Sequence, residues 1–392
     1  MEEKTNYYCS QKFWWLSIDL EKLATQSCCS ADPHKIDINW LKKNPGSIFN
    51  TPEIQQERKM MLSDIPASSC ESNCWKPERN GMESRRLLMK THKKTHVELQ
   101  STPETLHIMI GSNCNLTCVY CCKQYSTAWG NDIKANGIYL VEGTGDRFII
   151  NDKDRIFSKI SQKEINLTQN KKILLEEIKL ICQKSKLSKI EISGGEPFLY
   201  LYLADLVKSL PTDVKIVIVT GLGVNEKKFS KELRSLKKHH NIILSVSAEN
   251  IGNNYEFVRA GNTWQRFENN LLEIQKCGVK YQFNSVLSNL TLFGLADFIK
   301  YANGVSINFL ICADPSFLSI NIMDDISKTS FLNNINTLPV EIHHIIKNSM
   351  GQPVNMQEQT NLKKYLNEFS KRRNFSLDIF PKTFIELINN VV

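Results

Sequence analysis

Three cysteines stand close together directly after a β-rich run: Cys114, Cys118 and Cys121 form a C-x3-C-x2-C pattern. Thiolates spaced this closely on one loop can reach three corners of a cubane iron–sulfur cluster, whose irons are held by cysteine. Three ligands leave the fourth iron open to a ligand from outside the protein, as in catalytic metal sites with a vacant position. A zinc knuckle completed by Cys122 or by a distant residue is the alternative, although zinc sites usually contain paired C-x2-C units.

A glycine-rich turn, SGGEP at 193–197, follows the next β-rich run. Gly194 and Gly195 allow the backbone to approach a ligand closely and to adopt positive φ angles. Glu196 can pair with an ammonium group through a charge-assisted hydrogen bond, and Pro197 suits the first position of a helix. On its own the motif is typical of an ordinary glycine turn. One βα unit after the cysteines, it favours a ligand site.

The first fifth of the chain holds a second group of cysteines, namely Cys9, Cys28, Cys29, Cys70 and Cys74. Four thiolates satisfy a closed [4Fe–4S] site or a structural zinc ion. We expect Cys9, Cys28, Cys70 and Cys74 to be the metal ligands. We expect Cys29 to be a buried thiol, with a role as reserve ligand as the alternative.

With these motifs the chain resembles the radical S-adenosylmethionine superfamily. The signature of that superfamily is the same cysteine spacing with an aromatic residue, here Tyr120, before the third cysteine, and a later Gly-Gly-Glu-Pro motif. In the superfamily the open iron is chelated by the amino and carboxylate groups of S-adenosylmethionine, and one electron from the [4Fe–4S] cluster cleaves that cofactor. The resemblance implies a 5′-deoxyadenosyl radical that abstracts a substrate hydrogen, and a reductase such as flavodoxin or ferredoxin as electron donor.

The resemblance also implies further cofactor contacts. Ser247 and Arg259 keep the spacing of a Ser-x-Asp-Gly strand end and its following arginine, with Glu249 and Asn250 in place of Asp and Gly. Ser247 would bond the ribose or carboxylate and Arg259 the carboxylate, which its planar fork suits. Leu287, at a neighbouring strand end, would line the adenine site. The implied cofactor-binding residues are Tyr120, Gly194, Gly195, Glu196, Ser247, Arg259 and Leu287.

The N-terminal cysteines, together with FNTP at 49–52, resemble the twitch/SPASM auxiliary-cluster modules, in particular radical enzymes with an N-terminal twitch domain. This resemblance favours iron–sulfur over zinc and implies a second, auxiliary [4Fe–4S] cluster. Related modules serve enzymes that act on ribosomal peptides and on small molecules. Peptide modification by epimerisation, crosslinking or dehydrogenation is the first hypothesis. Maturation of a small molecule or nucleoside, and a non-enzymatic zinc-binding scaffold, are the alternatives.

The elements that must position these residues alternate between short β-rich runs and amphipathic helical segments. The β-rich runs are 105–110, 189–192, 214–220, 242–246, 279–287 and 305–311, and the helical patterns are 200–210, 225–239, 264–277 and 292–302. Such alternation predicts a parallel sheet with right-handed crossovers. Six units predict an α/β fold with a partial (β/α)6 TIM barrel, since the closed barrel has eight. Ligands of such folds bind at the carboxyl ends of the strands, where both motifs lie.

We expect three parts in the chain. They are a cysteine-rich auxiliary-cluster domain at 1–100, the barrel at 101–312 with a polar insertion or cap at 130–170, and a C-terminal helical extension at 313–392. In the first part, a hairpin is expected at 13–19 and 23–26, and a helix at 53–62. In the last part, apolar residues recur at helical spacing from Leu362 to Phe369, a break follows at Pro381, and a short helix is expected at 383–388.

Composition excludes several classes of protein. The 392 residues carry a net charge of +8 and are 41% hydrophobic, which is ordinary for a globular protein. No apolar stretch approaches the roughly 20 residues that a membrane span needs.

Basic residues at 227–240 share a predicted helix with Glu226 and Glu232, which is typical of a solvated helix face, so no nucleic-acid partner is expected. The first ten residues lack an apolar run, which predicts a cytoplasmic protein with reduced thiols.

Overall fold

The described strands form one nine-stranded sheet in this computed structural model, in the order β3-β2-β1-β4-β5-β6-β7-β8-β9. The structure describes residues 7–79, 84–88, 98–142, 163–237, 241–312, 314–323 and 355–389, and a few single positions between 325 and 347. The strands are β1 (Trp15–Asp19), β2 (Ala24–Gln26), β3 (His34–Lys35), β4 (Thr105–Met109), β5 (Lys189–Ser193), β6 (Lys215–Thr220), β7 (Ile242–Ser247), β8 (Lys280–Leu287) and β9 (Ile307–Ile311).

Strands β4 to β9 are all parallel and follow one another in chain order. They correspond one by one to the six predicted β-rich runs, so the predicted partial (β/α)6 barrel is confirmed. Because all carboxyl ends of parallel strands meet at one edge, the loops after β4, β5, β6, β7 and β8 converge there.

Some of the helices cover one face of this sheet, and others pack elsewhere. The helices are α1 (Ile38–Lys43), α2 (Pro52–Leu62), α3 (Lys76–Arg79), α4 (Arg85–Leu88), α5 (Thr127–Asn136), α6 (Lys163–Lys184), α7 (Leu203–Lys208), α8 (Glu226–Leu236), α9 (Gly252–Val258), α10 (Trp264–Cys277), α11 (Leu295–Ala302), α12 (Met356–Arg373) and α13 (Lys382–Asn389). Alternate strand residues such as Leu106 and Ile108 pack with the apolar sides of α6 to α8, α10 and α11 in one core. This alternation is the period of two that a strand imposes, and it leaves the other face for polar side chains.

The predicted N-terminal hairpin is present, since β1 pairs with β2 in antiparallel fashion. The sequence did not indicate where this hairpin would lie. In the structure, β1 also pairs in parallel with β4, with Trp15 opposite Thr105 and Asp19 opposite Met109. The N-terminal segment therefore extends the barrel sheet by three strands.

The C-terminal helices build a second core. The side chains predicted to recur along α12 include Tyr365 and Phe369, and both are buried in one cluster with residues of α5 and α13. Ile133, Tyr139 and Val141, within the expected 130–170 cap, lie buried in the same core. The first part of that segment is thus packed structure, whereas residues 143–162 lie outside the described part of the chain.

Candidate active site

The predicted cluster ligands Cys114, Cys118 and Cys121 lie on the loop after β4, at the carboxyl edge of the sheet. Helix α5 begins immediately after this loop and anchors it. Trp129 Nε1 donates to the Cys118 carbonyl at 3.0 Å, and Ser126 Oγ donates to the Leu116 carbonyl at 2.6 Å. These bonds satisfy two backbone carbonyls of the loop, while its Thr117 and Val119 N–H groups donate to the carbonyls of Ala260 and Val258.

The Gly-Gly-Glu turn docks directly on the start of the cysteine loop. Gly195 N donates to the Gly111 carbonyl at 2.7 Å, and Glu196 N donates to the Asn113 carbonyl at 2.8 Å. Gly194 has a φ of +145°, and a Cβ atom there would lie 2.6 Å from the Gly111 carbonyl oxygen. A Cβ on Gly195 would overlap the Asn113 carbonyl. Both positions therefore require glycine, as the sequence indicated, but the group approached so closely is the cysteine loop itself.

Three other glycines hold the middle of the cysteine loop, and sequence reasoning missed them. The side chain of Leu116 lies against Gly221 and Gly223, where added Cβ atoms would be 3.0 and 2.8 Å from its methyl groups. Gly261 has a φ of +102° and approaches the Asn115 carbonyl, so that an added Cβ would lie 2.7 Å from it. The only sequence signal was the Gly-Leu-Gly at 221–223, which is too short to predict a loop contact.

Glu196 is buried, and both of its carboxylate oxygens have protein donors. Thr220 Oγ1 donates to Oε1 at 2.8 Å, Phe198 N donates to Oε1 at 3.2 Å, and Gly221 N donates to Oε2 at 2.9 Å. Burial raises the pKa of Glu196, while these donors oppose the rise. The donors fix the carboxyl group at the edge of the sheet. Oε1 already accepts two of these bonds, whereas Oε2 accepts only one, so the second lone pair of Oε2 keeps the arrangement compatible with an ammonium partner.

Arg259 lies in a buried network with Glu249 and Tyr120. Arg259 Nε donates to Glu249 Oε2 at 2.9 Å, and Nη2 donates to Oε1 of the same carboxylate. Tyr120 Oη donates to Glu249 Oε1 at 2.7 Å. Burial alone would lower the pKa of Arg259, but the Glu249 carboxylate holds it well above its usual value. The carboxylate on Arg259 is thus one from the protein, where the resemblance implied one from the cofactor.

The remaining residues implied by the resemblance lie at neighbouring strand ends. Ser247 is the last residue of β7 and stands opposite Asn284 of β8, on the face away from the helices. Leu287 ends β8 and is buried in the helix-side core. The structure therefore places Ser247 at the carboxyl edge of the sheet, the edge at which the cysteine loop also lies, but places Leu287 among apolar side chains on the other face.

The three loop thiols influence one another. Burial raises the pKa of Cys114 to about 12, with a further contribution from Cys118. Burial likewise raises the pKa of Cys121 well above its usual value, and Cys118, Cys122 and Cys114 raise it further. Within the described part of the chain, no three His, Cys, Asp or Glu side chains are grouped so as to hold a single metal ion. The donors nevertheless fit a cluster in type and number, since each cysteine of a cubane binds its own iron.

Helix α12 also holds the cysteine loop, through two hydrogen bonds. Tyr365 Oη donates to the Val119 carbonyl at 2.6 Å, and Arg373 Nε donates to Thr117 Oγ1 at 2.9 Å. Tyr365 was predicted only as an apolar position of a helix. The sequence gives no sign of a partner for its hydroxyl, because Val119 lies 246 residues away along the chain.

The four expected N-terminal ligands come together in one small cluster. Cys9, Cys28, Cys70 and Cys74 are all buried there, packed with Trp75 and Met61. Burial raises the pKa of Cys70 to about 11, and also raises the pKa of Cys9 and of Cys74. Cys29 is exposed, whereas we expected a buried thiol. Cys29 lies inside the turn that Ala31 N closes on the Cys28 carbonyl at 3.2 Å, where its side chain faces solvent while that of Cys28 faces the cluster.

A buried ion pair adjoins this cysteine cluster. Lys12 Nζ lies 2.5 Å from Glu57 Oε2 and donates to Ser69 Oγ at 2.9 Å. Burial alone would raise the pKa of Glu57, but His34 and the Lys12 ammonium lower it to about 2. A cation so close to buried thiols favours their charged form.

Comparisons with known proteins give structural likeness only. No family model and no curated protein matches the chain. Among solved structures, anSMEcpe with bound AdoMet is 17% identical with a TM-score of 0.37, over 63% of this chain and 60% of that chain. Streptococcus suis SuiB bound to precursor peptide SuiA is 14% identical with a TM-score of 0.35, over 94% and 71%. TYW1 with a lysine-pyruvate adduct bound is 15% identical with a TM-score of 0.30, over 65% and 72%. Likeness of this extent assigns no activity.

In the described residues, no helix is both long and apolar enough to cross a membrane.

Proposed function

We propose that the chain is a radical S-adenosylmethionine enzyme. The observation that carries the proposal is the docking of the Gly-Gly-Glu turn on the cysteine loop, through the bonds of Gly195 to Gly111 and of Glu196 to Asn113. Two motifs that lie about 80 residues apart in sequence thereby share one edge of the sheet. Neighbouring parallel strands bring the two loops to the same edge in any case, but the close approach to the Gly111 and Asn113 carbonyls specifically requires the Gly194-Gly195 pair.

The residues have distinct roles in this proposal. Cys114, Cys118 and Cys121 would hold a [4Fe–4S] cluster, which when reduced supplies the electron that cleaves S-adenosylmethionine to a 5′-deoxyadenosyl radical. Glu196, held in place by its three donors, would accept the ammonium of the cofactor. Ser247 would donate to the ribose or carboxylate from the neighbouring strand end. The close packing of Leu116 against Gly221 and Gly223 buries the inner side of the loop.

A second [4Fe–4S] cluster is proposed on Cys9, Cys28, Cys70 and Cys74. The gathering of these four thiols in one buried cluster supports this proposal. Thiolate-only sites also accept zinc, so metal analysis must decide between the two.

The proposed substrate is a peptide. Strand β9 ends the described sheet, and it pairs there with β8 alone. Leu310 and Ile311 on this strand are each 44% exposed. An exposed edge strand offers main-chain donors and acceptors to an extended peptide, together with pockets for alternate side chains. On the adjacent inner face, Asn308 Nδ2 donates to Asn284 Oδ1 at 2.8 Å, which adds amide groups that suit a peptide backbone.

The proposed chemistry can be tested with protein reconstituted anaerobically with iron and sulfide. About eight irons fit two clusters and about four fit one. With S-adenosylmethionine and dithionite, the wild type should form 5′-deoxyadenosine, measured by mass spectrometry. Cys118→Ala should abolish product, whereas Cys122→Ala, which removes a neighbouring thiol, should retain it. Zinc in place of iron, or equal product from wild type and Cys118→Ala, would overturn the proposal in favour of a thiol-rich scaffold.

The substrate class needs a separate measurement. A short peptide encoded beside the gene should raise the rate of 5′-deoxyadenosine formation and should change in mass or stereochemistry. Replacing Leu310 with Lys should weaken that stimulation without lowering the basal rate. Stimulation by a nucleoside or another small molecule, with none by the peptide, would reverse the assignment of substrate class.

A further inference from the structure

Arg259 joins the cysteine loop to a buried carboxylate. Its Nη1 donates to Cys118 Sγ at 3.7 Å, while Nε and Nη2 are both occupied by Glu249. Arg259 is 7% exposed and Glu249 is 0% exposed, so water does not screen this arrangement. A guanidinium is a planar group with fixed donor directions. When hydrogen bonds hold two of its nitrogens, the direction in which the third nitrogen donates is fixed as well.

Glu249 is itself held in a single position. Its Oε1 accepts from Tyr120 Oη at 2.7 Å and from Val286 N at 3.3 Å. These contacts come from the cysteine loop and from strand β8, while Arg259 follows α9. The carboxylate therefore connects the guanidinium of Arg259 to two other parts of the site, the cysteine loop and strand β8.

We propose that Glu249 is a positioning residue that aims Arg259 at Cys118 Sγ, and that this N–H···S contact raises the reduction potential of the cluster on that thiolate. The inference rests on the proposed function, since it concerns the cluster assigned to Cys114, Cys118 and Cys121. Reduction adds one electron, supplied by the external reductase, and increases the negative charge on the ligand sulfurs. A cationic donor stabilises the more negative state more strongly. Hydrogen bonds to cluster sulfurs are among the determinants of reduction potential.

The test is the midpoint potential of the reconstituted full-length protein, followed by EPR. The signal to follow is the one that changes when S-adenosylmethionine is added. Arg259→Lys keeps the charge beside Glu249 but removes the planar fork. We expect the ratio of reduced to oxidised cluster at a fixed potential to fall about tenfold, a shift of about 59 mV for one electron. Arg234→Lys is the matched control, because Arg234 pairs with Glu273 on the surface, and it should leave the potential unchanged.

A second variant covers the case in which Arg259→Lys fails to fold. Glu249→Asp shortens the acid by one carbon, keeps both charges, and draws the guanidinium away from Cys118, so the potential should again fall. A wild-type potential in either folded variant, with wild-type iron content, would overturn the role of Arg259 and leave the proposed enzyme intact. Absence of any cluster signal in the wild type would instead refute the proposed function and this inference with it.

Discussion

The hydroxyl of Tyr365 donates to the carbonyl of Val119 across 2.6 Å, so that the C-terminal helix α12 secures the middle of the cysteine loop. Val119 lies between Cys118 and Cys121, and both residues of this contact are 0% exposed. No solvent can replace the bond if it is lost. The geometry of the proposed cluster site therefore depends on a residue near the other end of the chain.

Replacing Tyr365 with Phe should destabilise the protein. The variant leaves the Val119 carbonyl buried without a donor, which costs about 1–3 kcal/mol. Urea denaturation of the metal-free protein under reducing conditions measures the loss. Tyr281→Phe is the matched control, since the Tyr281 hydroxyl accepts from Gln275 at an exposed position, and its effect should stay within about 0.5 kcal/mol. Equal losses in the two variants would contradict the importance of the loop contact.

Gly195→Ala should separate the Gly-Gly-Glu turn from the cysteine loop. The added Cβ meets the Asn113 carbonyl, and the two backbones can relieve the overlap only by moving apart. We expect a loss of about 1–3 kcal/mol, typical of overpacking, and loss of S-adenosylmethionine binding in isothermal titration. Gly130→Ala provides the comparison, because nothing lies within 4 Å of its added Cβ and the site is helical. Tight cofactor binding by Gly195→Ala would show that the docking is dispensable.

The proposed N-terminal site predicts different consequences for the replacement of Cys74 and of Cys29. Cys74→Ala should remove the second cluster, and with it about four irons per chain, while leaving some 5′-deoxyadenosine formation uncoupled from substrate. Cys29→Ala should keep the iron content of the wild type, because Cys29 is exposed and lies outside the buried cluster. Iron and acid-labile sulfide analysis of both variants distinguishes these outcomes. Iron lost from Cys29→Ala and retained in Cys74→Ala would exchange the ligand assignments.

The Lys12–Glu57 ion pair predicts a pH-dependent stability. The pKa of Glu57 falls from its ordinary 4.5 to about 2 on folding. A lowered folded-state pKa contributes stability that is present above the ordinary pKa and is lost as pH falls towards the folded value. The difference in unfolding free energy between wild type and Glu57→Gln should therefore shrink between about pH 4.5 and pH 2. Urea titrations across this range measure it, and a constant difference would contradict the ion pair.

The strands of the barrel and the chemistry-bearing loops were predictable, because their signals are local. Each β-rich run is a short apolar segment beside an amphipathic helix, and the cysteine and glycine motifs have spacings that carry meaning on their own. The buried clustering of Cys9 with Cys70 was expected from a resemblance, and the structure places them together.

What could not be predicted depends on contacts between distant residues. Leu116 reads as an ordinary apolar residue until Gly221, Gly223 and Gly261 surround it. Arg259 was expected to meet a carboxylate, but nothing local to either residue indicated that Glu249 would supply it. The pairing of β1 with β4 is likewise invisible, because a short strand shows which of its faces is buried but not which strand lies beside it.

The parallel pairing of β1 with β4 has a consequence for assembly of the protein during synthesis. Trp15 emerges from the ribosome long before Thr105, its partner across the ladder, so β1 has no parallel neighbour until the barrel begins to form. Loop closure over this distance is slow compared with local helix formation. A fragment that ends before β4 would therefore contain all four cysteines of the proposed second site but would lack the strand against which the β1–β2 hairpin is laid down.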